Sequence, residues 1–232
     1  MDKPSLKGIL KNLSFRGRGL TYQIYDQFPE LHVVIDKKNI KDDIPPEIMD
    51  LLDVELRNLA GPCLFARDEQ KMEEIVGSIL VKNNKTVAFA ESCTGGRIGS
   101  LLTDIPGSSR YFLGSVIVYS NRAKVDLLNV SEKTLENYGA VSDPTACEMA
   151  EGARRIFQSD IGLSVTGIAG PDGGSEEKPV GTVHIGLSSK EKIISRRYLF
   201  RGTRDQIKQH STIMTMDWIR RYLNGDSFIP GI

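Results

Sequence analysis

The 232-residue sequence has no apolar run approaching the roughly 18 residues needed to span a bilayer, and its first twenty residues are too basic and too interrupted for a signal peptide. The cytoplasm is therefore the expected compartment. Cysteine is scarce. Cys63, Cys93 and Cys147 are odd in number, widely spaced and form no C-x-x-C pair, which fits a reducing compartment and argues against a structural zinc site. The three histidines, His32, His184 and His210, stand far apart with no second ligand at helical spacing, so metal catalysis has no support. Net charge is lacking too: 30 Lys and Arg balance 30 Asp and Glu. No overall field draws the chain to nucleic acid or to an anionic membrane, although a local anion site stays open.

What is present is ordinary for a globular protein, with 40% hydrophobic and 26% charged residues. The length suits one good-sized domain and a small appendage. The first 66 residues read as that appendage. Basic residues cluster from Lys3 to Arg18, Leu31–Ile35 is a short β-like run, Lys37–Asp43 is charged, and Pro45-Pro46 opens a helix to about Leu59. One strand and one helix bury little surface, so the segment is expected to lean on the main domain or on a partner subunit.

Residues 67–226 are more regular. Met72, Ile75, Val76, Ile79 and Leu80 recur at helical spacing. Thr86–Ala90 reads as a strand, and the helix after it carries Ile98, Leu101, Leu102 and Ile105 on one face. Leu113–Tyr119 is the next strand. Ser131 is placed to cap a short helix, and Asp143-Pro144 opens a longer one with Ala146, Met149, Ala150, Ala153, Ile156 and Phe157 inward. Ile161–Thr166 and Thr182–Leu187 read as buried strands, and Lys192–Phe200 as a more polar edge strand. Thr203 and Gln206 form a capping box for a last helix with the inner stripe Ile207, Ser211, Met214, Trp218 and Tyr222. Strands alternating with helices predict a three-layer α/β/α sandwich carrying a small N-terminal α+β appendage.

Three polar, glycine-bearing segments follow or precede these strands, where open α/β sheets place ligands. The turn Ala90-Glu91-Ser92-Cys93-Thr94-Gly95-Gly96 runs into a helix. It suits an anion, an oxyanion beside a nucleophilic Ser92, or merely a capped helix start with glycines for tight packing. Pro106-Gly107-Ser108-Ser109-Arg110 offers two hydroxyls and a cation for a phosphate, or a plain hydroxyl turn. The run Thr166–Gly174, with Gly167, Gly170, Asp172 and Gly173, continues to Gly181 and reads as a long hairpin loop or one wall of a pocket. It lacks the G-K-[ST] ending of a nucleotide-triphosphate loop. Without an eligible histidine, a serine nucleophile needs Lys124 or Tyr119 as base, both with ordinary pKa values near 10. Lowering Lys124 by about 3 units corresponds to roughly 4 kcal/mol against its charged form, which burial can supply and a neighbouring Arg122 or Arg204 would assist. Cys93 is either a rival nucleophile or a small core residue behind the turn.

Taken in order, A-E-S-C-T-G-G, P-G-S-S, Y-S-N-x-A-K, G-A-V-S and T-G-I-A-G-P-D-G-G-S-E-E-K-P-V-G-T-V resemble the CinA C-terminal family over some 150 residues. That resemblance implies nicotinamide-nucleotide amidase activity: nicotinamide mononucleotide and water give nicotinic acid mononucleotide and ammonia, in NAD salvage. It also implies a protein without a cofactor that assembles as a homo-oligomer, dimer or higher. By position, Ser92 matches the family's catalytic hydroxyl, and Thr94, Gly95 and Gly96 match its accompanying turn. Ser108 and Ser109 match the second motif's hydroxyls. Tyr119 and Lys124 match the pair that orients or activates the serine, and Arg204 matches an arginine completing the site. Full-length relatives carry a large N-terminal nucleotide-pyrophosphatase-like domain, which this sequence lacks. Residues 1–66 resemble the end of the small middle domain. The competing expectation is a non-catalytic nucleotide-binding or scaffolding module of the competence and damage-inducible kind.

Overall fold

The computed structural model describes residues 3–13, 20–37 and 45–226. The charged stretch Lys37–Asp43 and the end of the basic cluster at Arg18 lie largely outside them. The described residues divide into two compact units, one within Met1–Arg67 and one spanning Asp68–Asn224.

The smaller unit is richer than one strand and one helix. Helix α1 (Lys3–Lys11) and helix α2 (Pro46–Ala60) accompany an antiparallel hairpin of β1 (Leu20–Gln27) and β2 (Glu30–Lys37). The basic cluster concealed a leucine stripe: Leu6, Leu10 and Leu13 fall at i, i+4 and i+7 and pack with Leu52. Strand β1 escapes a hydrophobicity reading because polar residues alternate through it, yet Leu20, Tyr22 and Ile24 join the same cluster as Leu31, Val33 and Ile35.

The larger unit is a five-stranded mixed sheet in the order β4-β3-β5-β6-β7. Its strands are β3 (Val87–Glu91), β4 (Phe112–Ile117), β5 (Ile161–Gly167), β6 (Thr182–Ser188) and β7 (Ile193–Leu199). β3 pairs parallel with β4 and β5, whereas β6 runs antiparallel to both β5 and β7. β7 is an edge strand, as its polar character suggests.

Alternation assigns the two faces. Ser164 and Gly186 turn toward helix α7 (Asp143–Phe157), where the Ser164 hydroxyl donates to the Ala146 carbonyl at 2.6 Å. A Cβ on Gly162 or Gly186 would run into the α7 backbone at Ala150 or Ala146, so this helix sits unusually close to the sheet. Its inner face is accordingly Ala146, Met149, Ala150 and Ala153; Ile156, expected inward, is 43% exposed because the helix has turned it away by its last turn. The alternate residues Leu163, Val165, Val183, Ile185 and Leu187 are fully buried on the other face. That side carries helices α3 (Met72–Lys82), α4 (Arg97–Thr103) and α8 (Arg204–Asn224), with the Trp218 indole donating to the Tyr198 hydroxyl at 2.8 Å. The capping box of α8 forms as its sequence indicates: the Thr203 N–H donates to Gln206 Oε1 (2.9 Å) and the Gln206 N–H to Thr203 Oγ1 (3.3 Å).

Two short helices complete the unit, α5 (Asn121–Leu128) and α6 (Glu132–Tyr138). Ser131 precedes α6 but its side chain caps nothing; instead its N–H donates to the Glu148 carboxylate of α7 at 2.7 Å. Among the described residues no helix is long and apolar enough to cross a membrane.

Candidate functional site

The carboxyl ends of β3, β4, β5 and β7 lie at one end of the sheet, joined there by the start of antiparallel β6. Ser92 leaves β3 at that end. Its N–H donates to the Val165 carbonyl, and the Val118 N–H donates to the Glu91 carbonyl, so the exit of β3 is clamped between its neighbours. Lys124 comes from the first turn of α5, which is capped by Ser120 accepting the Ala123 N–H at 3.1 Å. That cap turns the lysine inward. Its side chain is buried, 1% exposed, and its Nζ lies 3.3 Å from Ser92 Oγ.

The remaining partners of that amine are backbone carbonyls, Val118 O at 2.8 Å and Tyr119 O at 3.3 Å. A neutral amine has two N–H bonds and one lone pair. Two carbonyls can take the N–H bonds, leaving the lone pair for the serine proton. Burial lowers the Lys124 pKa from its ordinary 10.5, with Cys93 acting weakly in the opposite sense. Burial alone suffices here. The cations that could have assisted point elsewhere: Arg122 pairs with Asp126 at 2.6 Å, and Arg204 donates to the Gly170 carbonyl at 2.6 Å.

Tyr119 serves the amine through its carbonyl. Its phenol is 64% exposed and receives a 3.4 Å contact from Arg204 Nη2. Arg204 thus ties the loop leaving β5 to the loop leaving β4. Gly167, Gly170, Asp172 and Gly173 lie in that β5 loop at the Ser92 end of the sheet, with Asp172 and Gly173 exposed. Gly170 requires glycine, since its φ is +77° and a Cβ would strike Val180.

The turn itself differs from the expected open helix start. The N–H groups of Gly96, Ile98 and Gly99 all donate to the Glu91 carboxylate, and that of Gly95 donates to the Ser92 carbonyl. Among the described residues, no other residue accepts from the N–H of Cys93 or Thr94. Thr94 Oγ1 is buried without a hydrogen-bond partner. Cys93 is 5% exposed, and burial pushes its thiol up to about 12, so it is a protonated core thiol at neutral pH and not a nucleophile.

Ser108 and Ser109 do not join the site in this chain. They form a single helical turn, Ser108–Arg110, before β4, and the register pairs Phe112 with Val87 at the start of β3. Four residues of β3 separate that end from Glu91, about 13 Å at the usual rise. A cation closer to Ser92 was missed by sequence reasoning. Lys208 Nζ stands 3.7 Å from where a Cβ on Gly95 would lie, and no acceptor for it occurs among the described residues. The signal was its place one helical turn after Arg204, at i+4 on the same face of α8. Glu91 was missed as well, although an acid ending an apolar strand is itself a sign of a buried role.

No group of three or more His, Cys, Asp or Glu among the described residues is placed to hold a metal. His184 gives its Nδ1 to Asp143 at 2.8 Å under α7. The site is thus that of an α/β protein with a shielded serine–lysine pair at one end of a mixed sheet. The chain belongs to the CinA family, whose C-terminal domain model matches residues 69–223. It is 49% identical to a CinA-like protein of Fervidobacterium nodosum over 180 residues, 76% of this chain and 44% of that protein. A CinA-like protein of Geotalea uraniireducens is 39% identical over 222 residues, 96% of this chain and 53% of its own. The chain thus spans about half the length of the curated relatives it matches. Among solved structures it is similar to competence/damage inducible protein CihA from Agrobacterium tumefaciens, with a TM-score of 0.62 and 34% identity, covering 68% of this chain and 99% of that one. A CinA superfamily protein from Klebsiella pneumoniae gives a TM-score of 0.64 at 28% identity, covering 67% and 99% respectively.

Proposed function

We propose that this chain hydrolyses the amide of nicotinamide mononucleotide, with Ser92 as nucleophile and Lys124 as its base. The observation that carries the reading is the buried 3.3 Å contact between Lys124 Nζ and Ser92 Oγ. The family resemblance supplies the substrate.

In the first step the Ser92 proton passes to Lys124 while Oγ bonds to the amide carbon. The oxyanion is received by the N–H groups of Cys93 and Thr94, an interaction of roughly 3–4 kcal/mol per donor in comparable sites. Collapse breaks the C–N bond, and the Lys124 ammonium returns its proton to the departing nitrogen, releasing ammonia. Water then attacks the ester, giving a proton to Lys124, and the nicotinate carboxylate leaves as Ser92 recovers its hydrogen. Throughout, Val118 O and Tyr119 O hold the amine in register.

Lys208 is the group proposed to meet the substrate phosphate in place of Ser108 and Ser109, and Arg204 with Tyr119 forms the rim. The resemblance further supports a homo-oligomer as the working form. A substrate panel tests the reading. Ammonia release is expected from the mononucleotide, much less from the riboside, and least from free nicotinamide. Binding of the mononucleotide without ammonia release would favour the scaffolding alternative.

A further inference from the structure

The residue before the nucleophile has no role in the chemistry just described, yet it is the most completely enclosed carboxylate of the larger unit. Glu91 ends β3 with no exposed surface. None of its hydrogen-bond partners among the described residues is a cation. Instead Oε2 accepts from the N–H groups of Gly96 (2.9 Å) and Ile98 (3.2 Å), while Oε1 accepts from the Gly99 N–H (3.0 Å) and the Ser115 hydroxyl (2.8 Å). A carboxylate removed from water is strongly unfavourable unless its lone pairs are filled. Here the first turn of α4 fills them, since its N–H groups lack partners within the helix.

The arrangement closes a loop. The chain leaves β3 at Glu91, makes the turn Ser92–Gly96, and the start of α4 folds back onto the Glu91 side chain. Gly95 and Gly96 make this return possible, at φ +65° and +93°. Gly99 gives the carboxylate room, because a Cβ there would lie 3.7 Å from Oε1 and 3.2 Å from Ser115 Cβ. Both ends of the five-residue turn are therefore fixed by one side chain. The same bonds withdraw the N–H groups of Gly96, Ile98 and Gly99 from any ligand, leaving those of Cys93 and Thr94.

We infer that Glu91 is a positioning residue for the amide-hydrolysing centre: its carboxylate fixes the Ser92–Gly96 turn so that the hydroxyl meets Lys124 while the Cys93 and Thr94 N–H groups receive the oxyanion. This inference rests on the amidase reading. Glutamine at this position keeps one accepting oxygen but sets an NH2 against N–H or O–H donors. The turn then loosens without losing any group that touches substrate.

The test is steady-state hydrolysis of nicotinamide mononucleotide by wild type and Glu91→Gln, with rates expressed per folded molecule from circular dichroism and size-exclusion chromatography. A contact realised only in the transition state lowers kcat and leaves KM in place. The expected result is a kcat loss of at least about tenfold with KM within roughly threefold. A merely structural role would lower thermal stability at unchanged kcat. If E91Q does not fold, Ser115→Ala removes one of the four donors from a milder position and is expected to lower kcat by roughly threefold at constant KM. Wild-type kcat in folded E91Q overturns the inference, as does wild-type kcat in S115A when E91Q is unfolded. A loss carried by KM alone overturns it too. A wild-type protein that releases no ammonia would instead sink the amidase reading, and this inference with it.

Discussion

The ε-amine of Lys124 lies 3.3 Å from the hydroxyl of Ser92, although 32 residues separate them in the chain. The amine is held there by two backbone carbonyls and shielded from water, so it needs neither a histidine nor a second cation to act as a base. Four expected outcomes follow from the surroundings of this pair, and a fifth tests the pair itself.

The base must be neutral to accept the serine proton, and burial lowers its pKa from 10.5. The kcat of wild type is therefore expected to rise with pH through that lowered pKa and to level off above it. Lys124→Arg, which stays charged throughout, is expected to lose the limb and nearly all activity. A pH–rate series from about pH 6 to 10 checks this.

The same shift has a stability consequence. Between its folded pKa and 10.5, Lys124 is protonated in the unfolded chain but neutral in the folded one. Folding then releases a proton, and wild-type stability gains with rising pH across that window; below it the penalty is full and constant. Lys124→Met lacks this slope. The unfolding free energy of the variant minus that of wild type is expected to fall as pH rises through the window, as measured by urea titrations at several pH values.

Thr94 Oγ1 is buried and unpartnered. Leaving a hydroxyl unsatisfied costs about 1–3 kcal/mol. Thr94→Val keeps the shape and removes that cost, so it is expected to stabilise the free protein by about 1 kcal/mol. If the hydroxyl serves substrate, kcat/KM is expected to fall by roughly tenfold in the same variant. Thermal unfolding and steady-state kinetics on one preparation read both.

Lys208 is the cation nearest the glycines of the turn. Lys208→Met is expected to raise KM for the mononucleotide by roughly tenfold, the worth of one charge-assisted hydrogen bond, while leaving turnover of the riboside unchanged. An equal effect on both substrates would remove Lys208 from phosphate recognition.

The larger unit was legible in the sequence because helix and strand periods alternate through it without interruption, and the order of its elements follows that reading. The smaller unit was less so. Helix α1 lies inside a lysine-rich stretch, and β1 mixes Thr21, Gln23 and Asp26 with its apolar residues, so neither shows in mean hydropathy. At the site, Ser92, Lys124 and Arg204 could be named because motifs carry them, but the manner of their meeting could not. That Tyr119 acts on the amine through its carbonyl depends on the turn after β4, which side-chain identity does not encode. Ser108 and Ser109 had suitable chemistry, but parallel pairing of β3 with β4 places a segment before β4 at the far end of the sheet. Lys208 was hidden by being one lysine among many on a long helix.

The most direct test of the account is Ser92→Ala assayed for ammonia release from nicotinamide mononucleotide, beside wild type and with folding verified by circular dichroism. Wild type is expected to release ammonia, and the variant to lose at least about a thousandfold in kcat while still binding the nucleotide. Turnover by Ser92→Ala at the wild-type rate would contradict it.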